Sequence, residues 1–195
     1  QAWTAKSLGG MKEKMFQKAI AEVTSRNPEL NPEGQKKIAA HIAMGAIKFS
    51  IQNVSNTKTI FFDWDRALEF EGETGPYIQY AAVRAKRILE KIENMPKFSE
   101  VKFNLLEKDE EHELVKHIAK FPLVIEAAAT HYRVHELTNY AHKLAEKFSL
   151  FYNNLPVLNA SEKDLINARI ALVQAAFNVL KNCLHFLGID VPDRM

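Results

Sequence analysis

Apolar residues recur every three or four positions along most of the chain, and prolines and glycines cut that rhythm into pieces. Met15, Ala19 and Val23 stand four apart; Ile38, Ile42, Ala46 and Phe49 repeat the pattern. So do Val134, Leu137, Ala141, Leu144 and Phe148, and then Leu165, Ala168, Leu172, Ala176 and Val179. A period near 3.6 places such residues on one face of an α-helix, whereas a half-buried strand needs a period of two. Strict alternation is nearly absent. The pattern therefore predicts an all-α fold, a bundle of roughly six or seven helices packed through these stripes.

The punctuation sets the boundaries. The first helix is predicted over 11–26, stopped by "NPELNP", and Pro32 opens the second as its first residue. Residues 52–75 read as an irregular connector containing the polar "QNVSNTKT" and the glycines of "EGETG". Gly75-Pro76 opens a third helix to about Asn94, before Pro96. Further helices follow over 107–121, from Pro122 through "FPLVIEAAATHY", and to about Asn153 before Pro156. In the last helix Ser161 and Asp164 stand in capping-box positions, and Gly188 is the expected C-terminal cap. The expected division is a helical segment over 1–60 and a helical bundle over 61–195.

Composition excludes several classes. Apolar residues make up 47% and charged residues 26%, as in an ordinary globular domain, and the net charge of +2 calls for no polyanionic partner by itself. One cysteine, Cys183, rules out a disulfide framework and reads as a small buried side chain. Glu126 interrupts the most apolar run, so no segment approaches the roughly 20 residues that span a membrane. The N-terminus lacks the order of a signal peptide and an initiator Met, which suggests a fragment of a longer chain.

Catalytic and metal motifs are lacking. Counted from Asp63, the sixth position of a calcium loop should be glycine and is Leu68. Asp63 and Asp65 are expected to cap turns or pair with an arginine, and Glu69 to be solvated. His112 and His117, five apart, point about 140° away from each other on a helix; His131 and His135, four apart, lack an evident third ligand. No catalytic and no metal-binding residue is assigned.

The third helix is different. Tyr77, Tyr80, Arg84, Arg87 and Lys91 fall within about 80° of one another, opposite an apolar stripe from Ile78 to Ile92. The turn at Gly75 would leave N–H groups free to meet an anion. Rings that stack bases beside arginines that hold phosphates could grip a single-stranded RNA loop. On periodicity alone, a solvated helix with partly buried tyrosines is the favoured reading, and a protein-interaction module that binds an acidic partner is the rival function.

"FDWDRALEFEGETGPYIQYAAVRAKRI" resembles the arginyl-tRNA synthetase segment that reads approximately FDWDRmLsFEGdTGPYlQYAhaRirsI. Upstream "AMGAIKFS" resembles that family's GigAvKYa, and "NARIALVQAAFNVLKNCLHFLGIDVPDRM" resembles its closing helix and terminal ApeRM. Three ordered matches cover nearly the whole chain. The resemblance implies the C-terminal part of such a ligase, ending in the helical DALR anticodon-binding domain. Its partners would be the tRNA for arginine and the catalytic domain of the same chain, in the cytoplasm.

The RNA-binding set is Gly75, Tyr77, Tyr80, Arg84, Arg87, Tyr140 and Met195, with Arg87 from the helical ridge and the others implied by the same resemblance. Tyr140 is carried over from "LTNYAHKLAEKFSLFYNN" as an RNA-facing tyrosine, Met195 as a residue of the anticodon pocket, while Phe148, Phe151 and Tyr152 read mainly as core. Ala82 stands where the family commonly has histidine, and Cys183 where it has glycine. ATP and magnesium are implied for the parent enzyme, with no cofactor in these residues, because neither a HIGH-type nor a KMSKS-type motif is present. The 195-residue chain alone is thus expected to give no arginine-dependent ATP–pyrophosphate exchange, and robust exchange in that assay would overturn the fragment reading.

Overall fold

Helices form where the apolar stripes demand them. The computed structural model describes residues 8–195; the opening residues of the expected 1–60 segment, 1–7, lie outside the described residues. The elements are α1 (Leu8–Arg26), α2 (Pro32–Gln52), α3 (Gly75–Leu89), α4 (Asp109–Ala119), α5 (Phe121–His131), α6 (Val134–Asn154) and α7 (Lys163–Phe186). Short 3-10 turns lie in the connections, and no strand occurs among the described residues. Asn31 caps α2 by accepting from the Gly34 N–H at 2.7 Å, with Pro32 in the first turn as expected.

Two apolar clusters fill the interior. One joins α1 and α2 through Met15, Ala19, Val23, Ile38 and Ile42; the other joins α3, α4, α6 and α7 through residues such as Ile78, Leu114, Leu144, Phe148 and Leu180, with Phe49 of α2 contributing. Phe62, Trp64, Leu68 and Phe70 of the connector pack on the α1–α2 cluster. Phe61, at the head of the same aromatic run, is 88% exposed.

α2 and α3 meet at two glycines. A Cβ on Gly75 would stand 2.4 Å from the Gly45 carbonyl oxygen, and one on Gly45 would stand 2.5 Å from Gln79 Oε1. No other residue fits either position without displacement. Gln79, fully buried, donates to the carbonyls of His41 at 3.1 Å and Asp190 at 2.7 Å. The C-terminal tail is thereby tied across both helices. Gly188, at φ 64°, ends α7 in the left-handed conformation that glycine accepts cheaply. The Lys48 ammonium donates to the Gly188 carbonyl, Gln52 donates to Leu187 at 3.0 Å, and Ile189 and Pro192 are buried.

Some predicted helix ends differ. α3 ends at Leu89 because Lys91 and Ile92 donate three residues back, to Ile88 and Leu89, in a tightened turn that replaces the expected run to Asn94. The capping box at the start of α7 does not form. Glu162 is the N-cap and makes no side-chain bond, and the Asp164 carboxylate is taken by Lys102 at 2.7 Å.

The bundle also encloses polar links. Arg169 Nε donates to Glu111 Oε1 at 2.7 Å and Arg169 Nη1 to the Pro156 carbonyl at 2.8 Å; Glu111 Oε2 accepts from the Lys108 N–H at 2.9 Å. The two Arg169 bonds secure α7 to α4 and to the turn between α6 and α7, and the third closes the first turn of α4. His117 and Tyr140 clasp each other: the Tyr140 hydroxyl donates to the His117 carbonyl at 2.9 Å, His117 Nε2 lies 3.1 Å from the Tyr140 carbonyl, and the rings stack 4.4 Å apart.

Three outcomes follow from this packing. Gly75→Ala should cost about 1–3 kcal/mol in denaturant unfolding, since its methyl meets backbone that cannot swing aside. Glu111→Ala should cost more, about 3–5 kcal/mol, because it leaves the Arg169 guanidinium buried and unpaired. Burial, with Lys147, Lys120 and Lys143 adding to it, holds His117 below its ordinary value of 6.5. The unfolded chain thus binds more protons just below that value, and the His117 contribution to stability is lost as pH falls through it. An NMR titration of the His117 ring in the folded chain should give a midpoint below 6.5.

Candidate nucleic-acid interface

α3 presents its polar ridge between α6 and the connector. Tyr80 is half-buried, and its hydroxyl accepts from Arg84 Nη2 at 2.8 Å. The Arg84 guanidinium lies over the Tyr80 ring at 4.6 Å and over the Tyr152 ring of α6 at 4.7 Å, with Nη1 at 3.4 Å from Asn153 Oδ1. Arg87, one turn on, is exposed and makes no ion pair among the described residues. Lys86 faces elsewhere and holds Asp193 at 3.0 Å. Tyr77 packs against the core, its ring 5.4 Å from that of His142.

α1 and the connector supply the opposite wall. A cleft of about 910 Å³ runs between them and α3, lined by residues that include Lys18, Arg26, Trp64, Phe70, Tyr80 and Arg84. The Arg26 guanidinium lies 4.1 Å over the Phe70 ring, and Phe70 meets Tyr80 edge-on at 6.5 Å. Cations and rings thus form one continuous array from Arg26 through Phe70, Tyr80 and Arg84 to Tyr152. Each guanidinium-over-ring contact is favourable by about 0.5–1 kcal/mol when exposed, and together they hold both arginines in place. Such an array offers flat faces to unpaired bases and fixed charge to phosphates.

Sequence reasoning missed Arg26, Phe70 and Tyr152. Nothing in the α1 sequence marks Arg26. Tyr152 was assigned to the core with Phe148 and Phe151, which are fully buried, whereas it is 38% exposed beneath Arg84. One helical turn, from Phe148 to Tyr152, carries that stripe from the interior to the rim.

Three expected site residues lie elsewhere. Gly75 and Pro76 are buried, and Thr74 Oγ1 accepts from the Tyr77 N–H at 3.2 Å while donating to the Glu69 carbonyl at 2.6 Å. The α3 N-terminus is therefore capped from within and offers no open anion site; Gly75 serves close packing. Tyr140 is 5% exposed with its hydroxyl donated to His117, and burial pushes its phenol above the ordinary value, so it cannot stack on a base in this conformation. Met195 packs on the α1–α2 cluster, as Phe70 does.

The acidic stretch has structural partners. Asp63 accepts from the N–H groups of Asp65 and Arg66 at 3.0 and 3.2 Å, capping the turn at Arg66–Leu68. Asp65 pairs with Lys18 rather than with an arginine, and that bond lowers its pKa. Cys183 is fully buried, which pushes its thiol up to about 12 and leaves no thiolate to react.

Comparison with known proteins agrees with this architecture. The chain is 44% identical over 177 residues to the arginine–tRNA ligase of Methanothrix thermoacetophila, a match spanning 91% of this chain and 31% of that one. It is 43% identical over 190 residues to the arginine–tRNA ligase of Methanosphaerula palustris, covering 97% and 33%. The chain therefore spans about a third of the length of these curated relatives. Among solved structures, Thermus thermophilus arginyl-tRNA synthetase superposes with a TM-score of 0.88 at 32% identity, over 100% of this chain and 33% of that one. Arginyl-tRNA synthetase from Plasmodium falciparum, at 21% identity and a TM-score of 0.81, shares the fold. Residues 78–195, more than half of the chain, match the DALR anticodon binding domain, and the chain belongs to that family.

Proposed function

We propose that this chain docks the anticodon arm of the tRNA for arginine, as the C-terminal part of a ligase that attaches arginine to that tRNA using ATP. The observation that carries the reading is Arg84, fixed between the Tyr80 and Tyr152 rings at the mouth of the cleft. A free arginine samples many rotamers, but this one already has its plane and charge set, so little ordering remains to be done on binding. Tyr80 and Tyr152 supply stacking faces, and Arg87 and Arg84 meet phosphates. Tyr77 supports the start of the ridge from its seat beside His142.

ATP and magnesium belong, in this proposal, to the catalytic part of the parent chain. Among the described residues no three His, Cys, Asp or Glu side chains converge to hold a metal ion. The contribution of this stretch is affinity and orientation. No helix among the described residues is long and apolar enough to cross a membrane.

Titration with an anticodon-arm hairpin at several salt concentrations tests the reading. Tyr80→Ala should weaken binding by about 1–3 kcal/mol, the range for loss of one stacked base. Arg84→Ala should lower the slope of log affinity against log salt by roughly 0.7, one single-strand phosphate. Because the Tyr80 hydroxyl also anchors Arg84, the double variant should lose less than the sum of the two. If Tyr80→Ala melts early yet binds normally while folded, the ring is structural and the stacking role is wrong.

A further inference from the structure

The antiparallel seam between α4 and α6 carries a second cationic surface. A cleft of about 560 Å³ opens there, lined by Lys116, Lys120, Lys143 and Lys147 with Glu113 and Glu146, over the His117 ring. Glu113 accepts from Lys116 at 3.2 Å and from Lys147 at 2.9 Å, and Glu146 leans towards His142 at 3.8 Å. Lys120 and Lys143 are exposed and make no ion pair among the described residues. At ~100° per residue, Lys143 and Lys147 lie about 180° and 140° around α6 from Tyr152, so this is another face from the Arg84 cleft.

We infer that the α4–α6 seam binds the phosphodiester backbone of duplex RNA, a second contact on a different face from the loop held at Tyr80 and Arg84. The inference rests on the proposed function and extends it to residues of a different face. Every side chain lining the seam is ionisable, and none is aliphatic or carbocyclic aromatic. A protein partner draws its affinity from buried apolar or aromatic anchors, for which this cleft has no counterpart. Bases cannot stack here either. The unpaired ammonium groups of Lys120 and Lys143, beside Lys116 and Lys147 shared with Glu113, suit repeated, geometry-tolerant contact with phosphates. The buried His117 ring reports the same field from beneath, since Lys147, Lys120 and Lys143 each act against its protonation.

The test compares the 195-residue chain with its Lys120→Gln/Lys143→Gln double variant, binding an anticodon-arm hairpin between about 50 and 200 mM salt. Glutamine keeps the helix propensity of lysine, so a melting curve should match the parent. The salt slope should fall by roughly 1.8, about 0.9 for each duplex phosphate released, and Lys143→Glu should weaken binding further. Adding the hairpin should shift the His117 ring resonances and raise their titration midpoint, an effect a distant site would not produce. An unchanged slope with unmoved His117 resonances, while Tyr80→Ala still weakens binding, overturns the seam and leaves the anticodon reading standing. Absence of hairpin binding by the folded parent overturns both. Loss of polyglutamate binding in the double variant, with hairpin binding and its slope intact, assigns the seam to an acidic protein and overturns the RNA contact.

Discussion

The contact on which the rest depends is the one between two backbones, where Gly75 at the start of α3 meets the Gly45 carbonyl of α2. It fixes the angle and height of α3 against the α1–α2 pair. Gln79, one turn further, lies over Gly45 and donates to both α2 and the C-terminal tail. Tyr80 follows directly, so its ring and Arg84 after it inherit their positions from an approach that only glycine allows. The tail is fixed by the same side chain, which is why Met195 can reach the α1–α2 cluster at all.

That constraint also decides which chemistry the ridge can perform. A helix N-terminus can bind an anion, but this one is pressed into α2 and satisfied by Thr74. Positive charge is delivered instead by side chains about two and a half to three turns on, where the helix emerges. There the rings do double service: Tyr80 and Tyr152 hold Arg84 by contact with its face, and their remaining edges and surfaces stay open to a ligand. The opposite wall comes from α1 and the connector, outside the stretch matching the anticodon-binding family, so the cleft exists only when both clusters are in place.

Much of the scaffold was legible in the sequence because helical stripes are local. Met15, Ala19 and Val23 are buried as their spacing demands, as are Ile38, Ile42, Ala46 and Phe49, and Gly188 ends α7 as its type suggests. The motif "TGPYIQY" pointed to α3 and to Tyr80 and Arg84. What failed was tertiary. Tyr140 carries no sequence mark separating an outward ring from one clasped by His117, and the Glu111–Arg169 pair joins residues 58 apart. Asp164 looked like a cap because the competing Lys102 lies 62 positions away. Gly75 looked like an open turn because its neighbour, Gly45, belongs to another helix.

The two cationic faces differ in the kind of ion they use, and the difference has consequences. The α3 face relies on Arg84 and Arg26, planar cations held flat on rings, and a planar cation on a ring specifies an orientation. The α4–α6 seam relies on lysines, compact charges on four-carbon stems that specify only a sign. A loop whose unpaired bases must be presented in register needs the first kind of surface; a uniform run of phosphates is served by the second. Preorganisation follows the same division. Arg84 has Tyr80, Tyr152 and Asn153 around it before any ligand arrives, whereas Lys120 and Lys143 have no carboxylate partner to give up. The first face discriminates because its geometry is set in advance, and the second can add affinity without constraining sequence.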